Sequence, residues 1–304
     1  MRRPRCHTFR QTAVGGHSWQ RRELRVMHGA RPTLRIGILI IGSLFWDNSE
    51  RAVWRRERLV IEDKQRIRAR IRYGRESTAG SRKGTFTMTF SGSAAPGIAY
   101  VVPCRNEISD PAGLLEEARL LARAEKLDGA ARWKQFGAIG LLLRNADANR
   151  LALELRASWA QYFQTHLDPS CATLTCCATN ENAPLGGDGL LQMPWPAGLD
   201  AEVNLDGVLA TVNTPTIVDG RYLGPKKIAS SLVHAAKNAN YLCENVLAGI
   251  RTFEDRSIWH HICVLDPPFI REPEYSERFV RLVNMPLTSG CIETLFGWVR
   301  RSES

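Results

Sequence analysis

The sequence has no CxxC pair and no internal repeat, it is not expected to carry a cleavable secretory signal, and no hydrophobic run in it is long enough to cross a bilayer. Its eight cysteines, at 6, 104, 171, 176, 177, 243, 263 and 291, therefore do not read as an extracellular disulfide framework, and the cytoplasm is the expected compartment. The longest apolar stretch, Ile36 to Trp46, is interrupted by Gly37, Gly42 and Ser43 and falls well short of the ~20 residues a spanning helix needs. Zinc-site spacing is missing too. Cys171, Cys176 and Cys177 cluster without a second closely spaced pair, and His260-His261 have no acid or cysteine at useful distance, so no metal site is expected. What remains is 304 residues, 44% hydrophobic and 24% charged, a composition that suits a soluble globular protein of one large or two ordinary domains.

The net charge of +10 is spread unevenly. Residues 1–35 carry nine arginines against one acid, Glu23, and show no apolar periodicity. Residues 1–34 read as a disordered basic extension; an organelle transit peptide and true initiation at Met27 stay open as alternatives. A second basic segment, Asn48 to Gly84, holds twelve bases against five acids, and the chain after it is mildly acidic.

From residue 35 the periodicities predict alternating elements. Ile36 to Ile41 is a short β-branched run that reads as a buried strand ending in a tight turn at Gly42-Ser43-Leu44. Arg66, Arg68, Arg70 and Arg72 alternate with Ile67, Ala69, Ile71 and Tyr73, the pattern of a half-buried strand. Further strands are expected over 85–90, 97–104, 138–143 and 205–212. Asp110-Pro111 is an N-cap followed by proline, and Leu114, Ala118 and Leu121 recur at helical spacing, which predicts a helix over 111–127. A second helix opens at Asp147, and a long one runs from Gly224-Pro225 to Gly249.

Two features carry chemistry. Small residues after a buried strand let backbone N–H groups of Ile41, Gly42, Ser43 and Leu44 converge on an anion or a carbonyl oxygen. The stripe of the 111–127 helix continues onto Glu125, and a carboxylate on an apolar face is a candidate general acid or base. Tyr73 and Arg75, at the end of the arginine strand, are candidates to orient a ligand, the guanidinium by bidentate contact with a carboxylate or phosphate. Asp47, three residues after the turn, reads either as a partner for a substrate ammonium or as a helix cap.

A strand ending in Ile40-Ile41-Gly42-Ser43-Leu44, several more strands and then a helix delivering Ala124-Glu125-Lys126 together resemble the gamma-glutamylcyclotransferase-like family over residues 36–143. In that family the turn usually reads Tyr-Gly-Ser followed by Leu or Asn, and the glutamate usually precedes glycine; Ile41 and Lys126 stand at those places here. The resemblance implies an α+β fold, a small mixed β-barrel with flanking helices and a pocket at its mouth. It also implies a glutamate, Glu125, that takes a proton from the substrate's α-amino group while the turn holds the substrate, releasing 5-oxoproline and an amine without metal or cofactor.

On this reading residues 35–167 form the barrel, and 168–304 are an appended mixed and helical region packing on it. The partner is a small γ-glutamyl-type molecule, and no membrane is involved. The rival reading is a non-catalytic module that binds RNA, another polyanion or a protein along the basic Arg66–Lys83 surface. Phe86 and Phe90 count against nucleic acid, because they share an apolar face with Met88 rather than standing exposed as stacking platforms.

Overall fold

Every position of Ile36-Gly37-Ile38-Leu39-Ile40 is buried, as an apolar run without alternation requires, and the segment forms strand β1 (Ile36–Ile40) inside a six-stranded sheet. The architecture is that of a computed structural model, which describes residues 32–78, 82–127, 137–145, 149–166, 183–196, 199, 203–234, 239–266 and 277–287. All belong to one compact unit, Pro32–Ser304.

The arginine strand is β2 (Gln65–Glu76), longer than its alternation predicts. The others are β3 (Phe86–Phe90), β4 (Pro96–Pro103), β5 (Gly137–Leu143) and β6 (Gly207–Asn213), with a small hairpin of β7 (Ile217–Val218) and β8 (Arg221–Tyr222). The sheet order is β3-β2-β4-β1-β6-β5; β1 runs parallel to β6 and every other pair is antiparallel. Strand β2 pairs along Gln65–Arg70 with β4 and along Ile71–Glu76 with β3, with a register shift between Tyr73 and Arg75. Such an irregularity bends a strand. Across the open side the Thr89 hydroxyl donates to the Asn213 carbonyl at 3.1 Å, and the Asn213 amide donates to the Met88 carbonyl at 3.0 Å. Side chains thus link β3 to the end of β6, but no backbone ladder closes the sheet among the described residues. The fold is α+β around a mixed sheet.

Seven α-helices flank it among the described residues: α1 (Glu50–Arg58), α2 (Pro111–Ala124), α3 (Arg150–His166), α4 (Pro225–His234), α5 (Ala239–Leu247), α6 (Asp255–Leu265) and α7 (Glu277–Asn284). Helix α2 begins as its sequence predicts, with the Asp110 carboxylate accepting from the Gly113 N–H at 2.9 Å and Leu114, Ala118 and Leu121 buried. It stops at Ala124, three residues before the expected end. Lys126 adopts φ 61°, the Leu127 N–H returns to the Ala122 carbonyl at 2.7 Å and the Lys126 N–H to Arg123 at 2.9 Å, a Schellman ending that leaves Glu125 as the C-cap. The helix expected from Gly224 to Gly249 is two helices, α4 and α5, on either side of residues outside the description.

Strand β6, from the segment expected to be merely appended, lies inside the sheet between β1 and β5, so the division at 167/168 does not separate two folding units. Its parallel pairing with β1 spans most of the chain, which local pattern cannot foresee. Leu34, placed within the amino-terminal extension, is buried and bridges to Ile108, so the ordered fold begins before residue 35.

The arginine face of β2 is largely covered by the C-terminal elements. Arg68 donates to the Leu287 carbonyl at 3.1 Å, and Arg72 pairs with Glu254 at 2.5 Å while stacking on Tyr222. Arg66 donates to the Tyr100 hydroxyl at 3.2 Å, and Arg70 is the outward-facing member of the four. Arg251 pairs its backbone with Ile98 of β4, its guanidinium with Asp255 at 2.7 Å, and caps α7 through the carbonyls of Leu282, Val283 and Met285. No helix among the described residues is long and apolar enough to cross a membrane.

Candidate functional site

Beyond β1 the chain turns sharply. The Phe45 N–H donates to the Gly42 carbonyl at 2.9 Å and the Asp47 N–H to the Ser43 carbonyl at 2.8 Å, while the buried Arg55 guanidinium holds the Leu44 carbonyl at 2.7 Å. These bonds use the turn's carbonyls. The N–H groups of Gly42, Ser43 and Leu44 carry no hydrogen bond among the described residues. They stand at the wall of a cavity of about 480 Å³.

The same cavity is lined by Ile41, Asp47, Arg75 and Glu125. The two chemical candidates, a turn at residue 42 and a carboxylate at residue 125, therefore meet. Their link is Arg51, in the first turn of α1: its Nη1 donates to Ser43 Oγ at 2.7 Å and its Nη2 to Glu125 Oε2 at 2.7 Å, with Nε on the Ala124 carbonyl at 3.2 Å. Glu125 Oε1 carries no hydrogen bond among the described residues. The carboxylate is thus anchored through one oxygen, and the other is left to accept from a ligand.

Arg82 completes a second bridge. It donates to Ser43 Oγ at 2.8 Å and to Asp47 Oδ2 at 3.1 Å, and its guanidinium lies 5.3 Å from the ring centroids of both Trp46 and Tyr241. Asp47 accepts from Arg51 at 3.2 Å as well, and its other oxygen accepts from the Ser49 N–H at 3.0 Å at the start of α1. Burial works to raise the Asp47 carboxyl, but the Ser49 bonds and the two guanidinium groups outweigh it and hold its pKa below the usual aspartate value. Of the two roles open to Asp47, the helix-start contact is present, and the carboxylate also orders two arginines.

Arg75 is only 8% exposed; burial pushes its pKa down to about 10, against the pull of Tyr241 and Glu125, so it stays cationic at neutral pH. Arg51, Arg75, Arg82 and Lys126 together outnumber the two lining carboxylates, and the cavity favours an anionic ligand.

Tyr73 does not belong to the site. It is fully buried behind the wall, its ring edge-on to Tyr241 at 6.2 Å, and burial raises its phenol pKa well above the usual value. The register shift after Tyr73 separates the two residues: Tyr73 stays on the core face, while Arg75 reaches the cavity. The aromatic at the wall is instead Tyr241, from α5. The sequence offers one signal for it, since Tyr241 and Asn245 sit four residues apart and so on one face of the helix. Arg51 likewise stands four residues after Asp47, the spacing of an ion pair at a helix start.

Among the described residues, no group of three or more His, Cys, Asp or Glu side chains is placed to hold a metal ion. The cluster Cys171, Cys176 and Cys177 lies outside them. Comparison of the chain with known protein families, with curated proteins and with solved structures finds no match to any of them.

Proposed function

We propose that the protein is a gamma-glutamylcyclotransferase-like enzyme of the cytoplasm that cyclises a γ-glutamyl amine or peptide to 5-oxoproline. Its curled sheet and flanking helices would represent that family's small barrel. The observation that carries the reading is Arg51, whose one guanidinium joins the Glu125 carboxylate to Ser43 of the turn.

The reaction needs three things: a base, donors for the charge that develops on the attacked carbonyl oxygen, and an orientation that folds the substrate on itself. Glu125 Oε1 takes a proton from the α-amino nitrogen as that nitrogen bonds to the γ-carbonyl carbon. The N–H groups of Gly42, Ser43 and Leu44 receive the oxyanion. Glu125 then returns the proton to the leaving amine as its C–N bond breaks, so no water or co-reactant is consumed. Arg75 and Arg82 suit the α-carboxylate, and Asp47 keeps Arg82 in place. Lys126 supports the resemblance on physical grounds, because its left-handed backbone is the conformation for which a glycine after the glutamate is best suited.

The test is to incubate the protein with γ-glutamyl amino acids, γ-glutamyl amines and glutathione and to measure 5-oxoproline. Glu125→Gln should abolish turnover with an unchanged melting temperature. Absence of 5-oxoproline from every substrate, or full activity in Glu125→Gln, would overturn the reading. A second reading, polyanion binding along Arg66–Lys83, draws on the basic segment. It is tested by titrating a labelled oligonucleotide at low and high salt. Internal engagement of Arg66, Arg68 and Arg72 leaves that surface fewer outward cations.

A further inference from the structure

The C-terminal half supplies a side chain to the wall of the cavity. Helix α5 is docked on the β1 turn by an unbroken set of contacts. The Trp46 indole N–H donates to Asn245 Oδ1 at 2.8 Å, the Asn245 amide donates to the Tyr241 carbonyl at 2.7 Å, and the Trp46 and Tyr241 rings meet edge to face at 5.8 Å. Asn245 is wholly buried, so these bonds are shielded from water and fix the ring. The Tyr241 phenol oxygen is thereby brought against residue 42, at 2.7 Å from where a Cβ would stand.

That oxygen is chemically committed. It accepts the Met88 N–H at 3.4 Å, and burial raises its pKa against the opposing Arg82 charge, so the phenol keeps its proton at neutral pH. A phenol that accepts one bond has its own hydrogen left to donate. The Asn245 side chain also bonds the phenol, in the sense that lowers its pKa and therefore as a donor. The phenol hydrogen is thus directed to no acceptor among the described residues, and Tyr241, 4% exposed, lines the cavity beside the donors of the turn.

We infer that Tyr241 is a further catalytic residue, whose hydroxyl donates to the attacked carbonyl oxygen alongside the turn N–H groups and stabilises the oxyanion of the tetrahedral intermediate. The proton stays on Tyr241 throughout, and no bond to it forms or breaks. The assignment rests on the cyclotransferase reading. It makes the C-terminal region a part of the active site and not a covering for it.

The experiment measures 5-oxoproline formation by the full chain and by Tyr241→Phe, which keeps the ring against Trp46 and removes one oxygen. Expected is a fall in kcat of at least about tenfold, toward the loss typical of one oxyanion donor, with KM within about twofold and a variant still fully folded at the assay temperature, the lost Met88 contact lowering the melting temperature by a few degrees at most. Equal kcat in wild type and variant would overturn the role of Tyr241 and leave the cyclotransferase reading standing. A lowered melting temperature with kcat restored on cooling would show a structural role and overturn the assignment. Wild type inactive on every γ-glutamyl substrate would overturn the enzymatic reading and this assignment with it.

Discussion

The Tyr241 phenol oxygen lies 2.7 Å from the point a Cβ on residue 42 would occupy, so the space that residue 42 gives up is filled by a side chain from the far half of the chain. Tyr241 is not a flexible end that could swing aside. Trp46, Tyr73 and Asn245 confine it, and it is 4% exposed.

Gly42→Ala should therefore destabilise the fold by about 1–3 kcal/mol, the usual cost of overpacking a closed core. Most of that loss should be recovered in the double variant Gly42→Ala/Tyr241→Phe, which deletes the oxygen in conflict. Urea unfolding of the four proteins in this cycle gives the coupling. Strict additivity would mean that the contact is not what excludes a side chain at residue 42.

Asp47 predicts a pH dependence. Its folded-state pKa lies below the ordinary aspartate value, so the unfolded chain binds more protons than the folded one as pH falls through that range. Stability then rises with pH there. The contribution is fully present above the unfolded pKa and is lost as pH drops through the folded one. The stability gap between wild type and Asp47→Asn should be constant from about pH 5 to 7 and shrink toward pH 3. Denaturant unfolding across that range measures it, and a gap that widens in acid would reverse the assignment.

Arg72 and Glu254 form a pair whose carboxylate is 2% exposed, and burial raises the Glu254 pKa despite the opposing Arg72 charge. Arg72→Ala should cost about 3–5 kcal/mol, because it strands a buried carboxylate. Arg72→Met/Glu254→Met should regain most of it. If Arg72→Ala unfolds at the wild-type denaturant midpoint, the pair does not fasten the C-terminal region to β2.

Elements set by near-neighbour pattern were legible in the sequence. The alternation of Ile67, Ala69, Ile71 and Tyr73 gives the buried face of β2, and Asp110-Pro111 with Leu114, Ala118 and Leu121 gives the start and orientation of α2. The stripe also pointed to Glu125, and the small residues at 42 and 43 to the turn, because both signals lie within a few residues of chain. Helix α1 leaves no apolar stripe to read, since its mean hydropathy is low and its buried positions include Arg55, a cation where an apolar residue is expected. That α4 and α5 are separate helices leaves no trace in the pattern either, because one apolar stripe can serve two helices in succession.

The sequence by itself determined the six strands of the sheet and the helices α2 and α3, which of their faces are apolar, and that a turn and a carboxylate were available for chemistry. Tertiary structure alone decided that β6 enters the sheet beside β1, that Arg51 ties Glu125 to Ser43, and that Tyr241 rather than Tyr73 faces the cavity. The reason is one of range. Periodicity records the burial of each residue against its own element, whereas a guanidinium spanning 74 residues of chain between Arg51 and Glu125 leaves no periodic trace in the residues it joins.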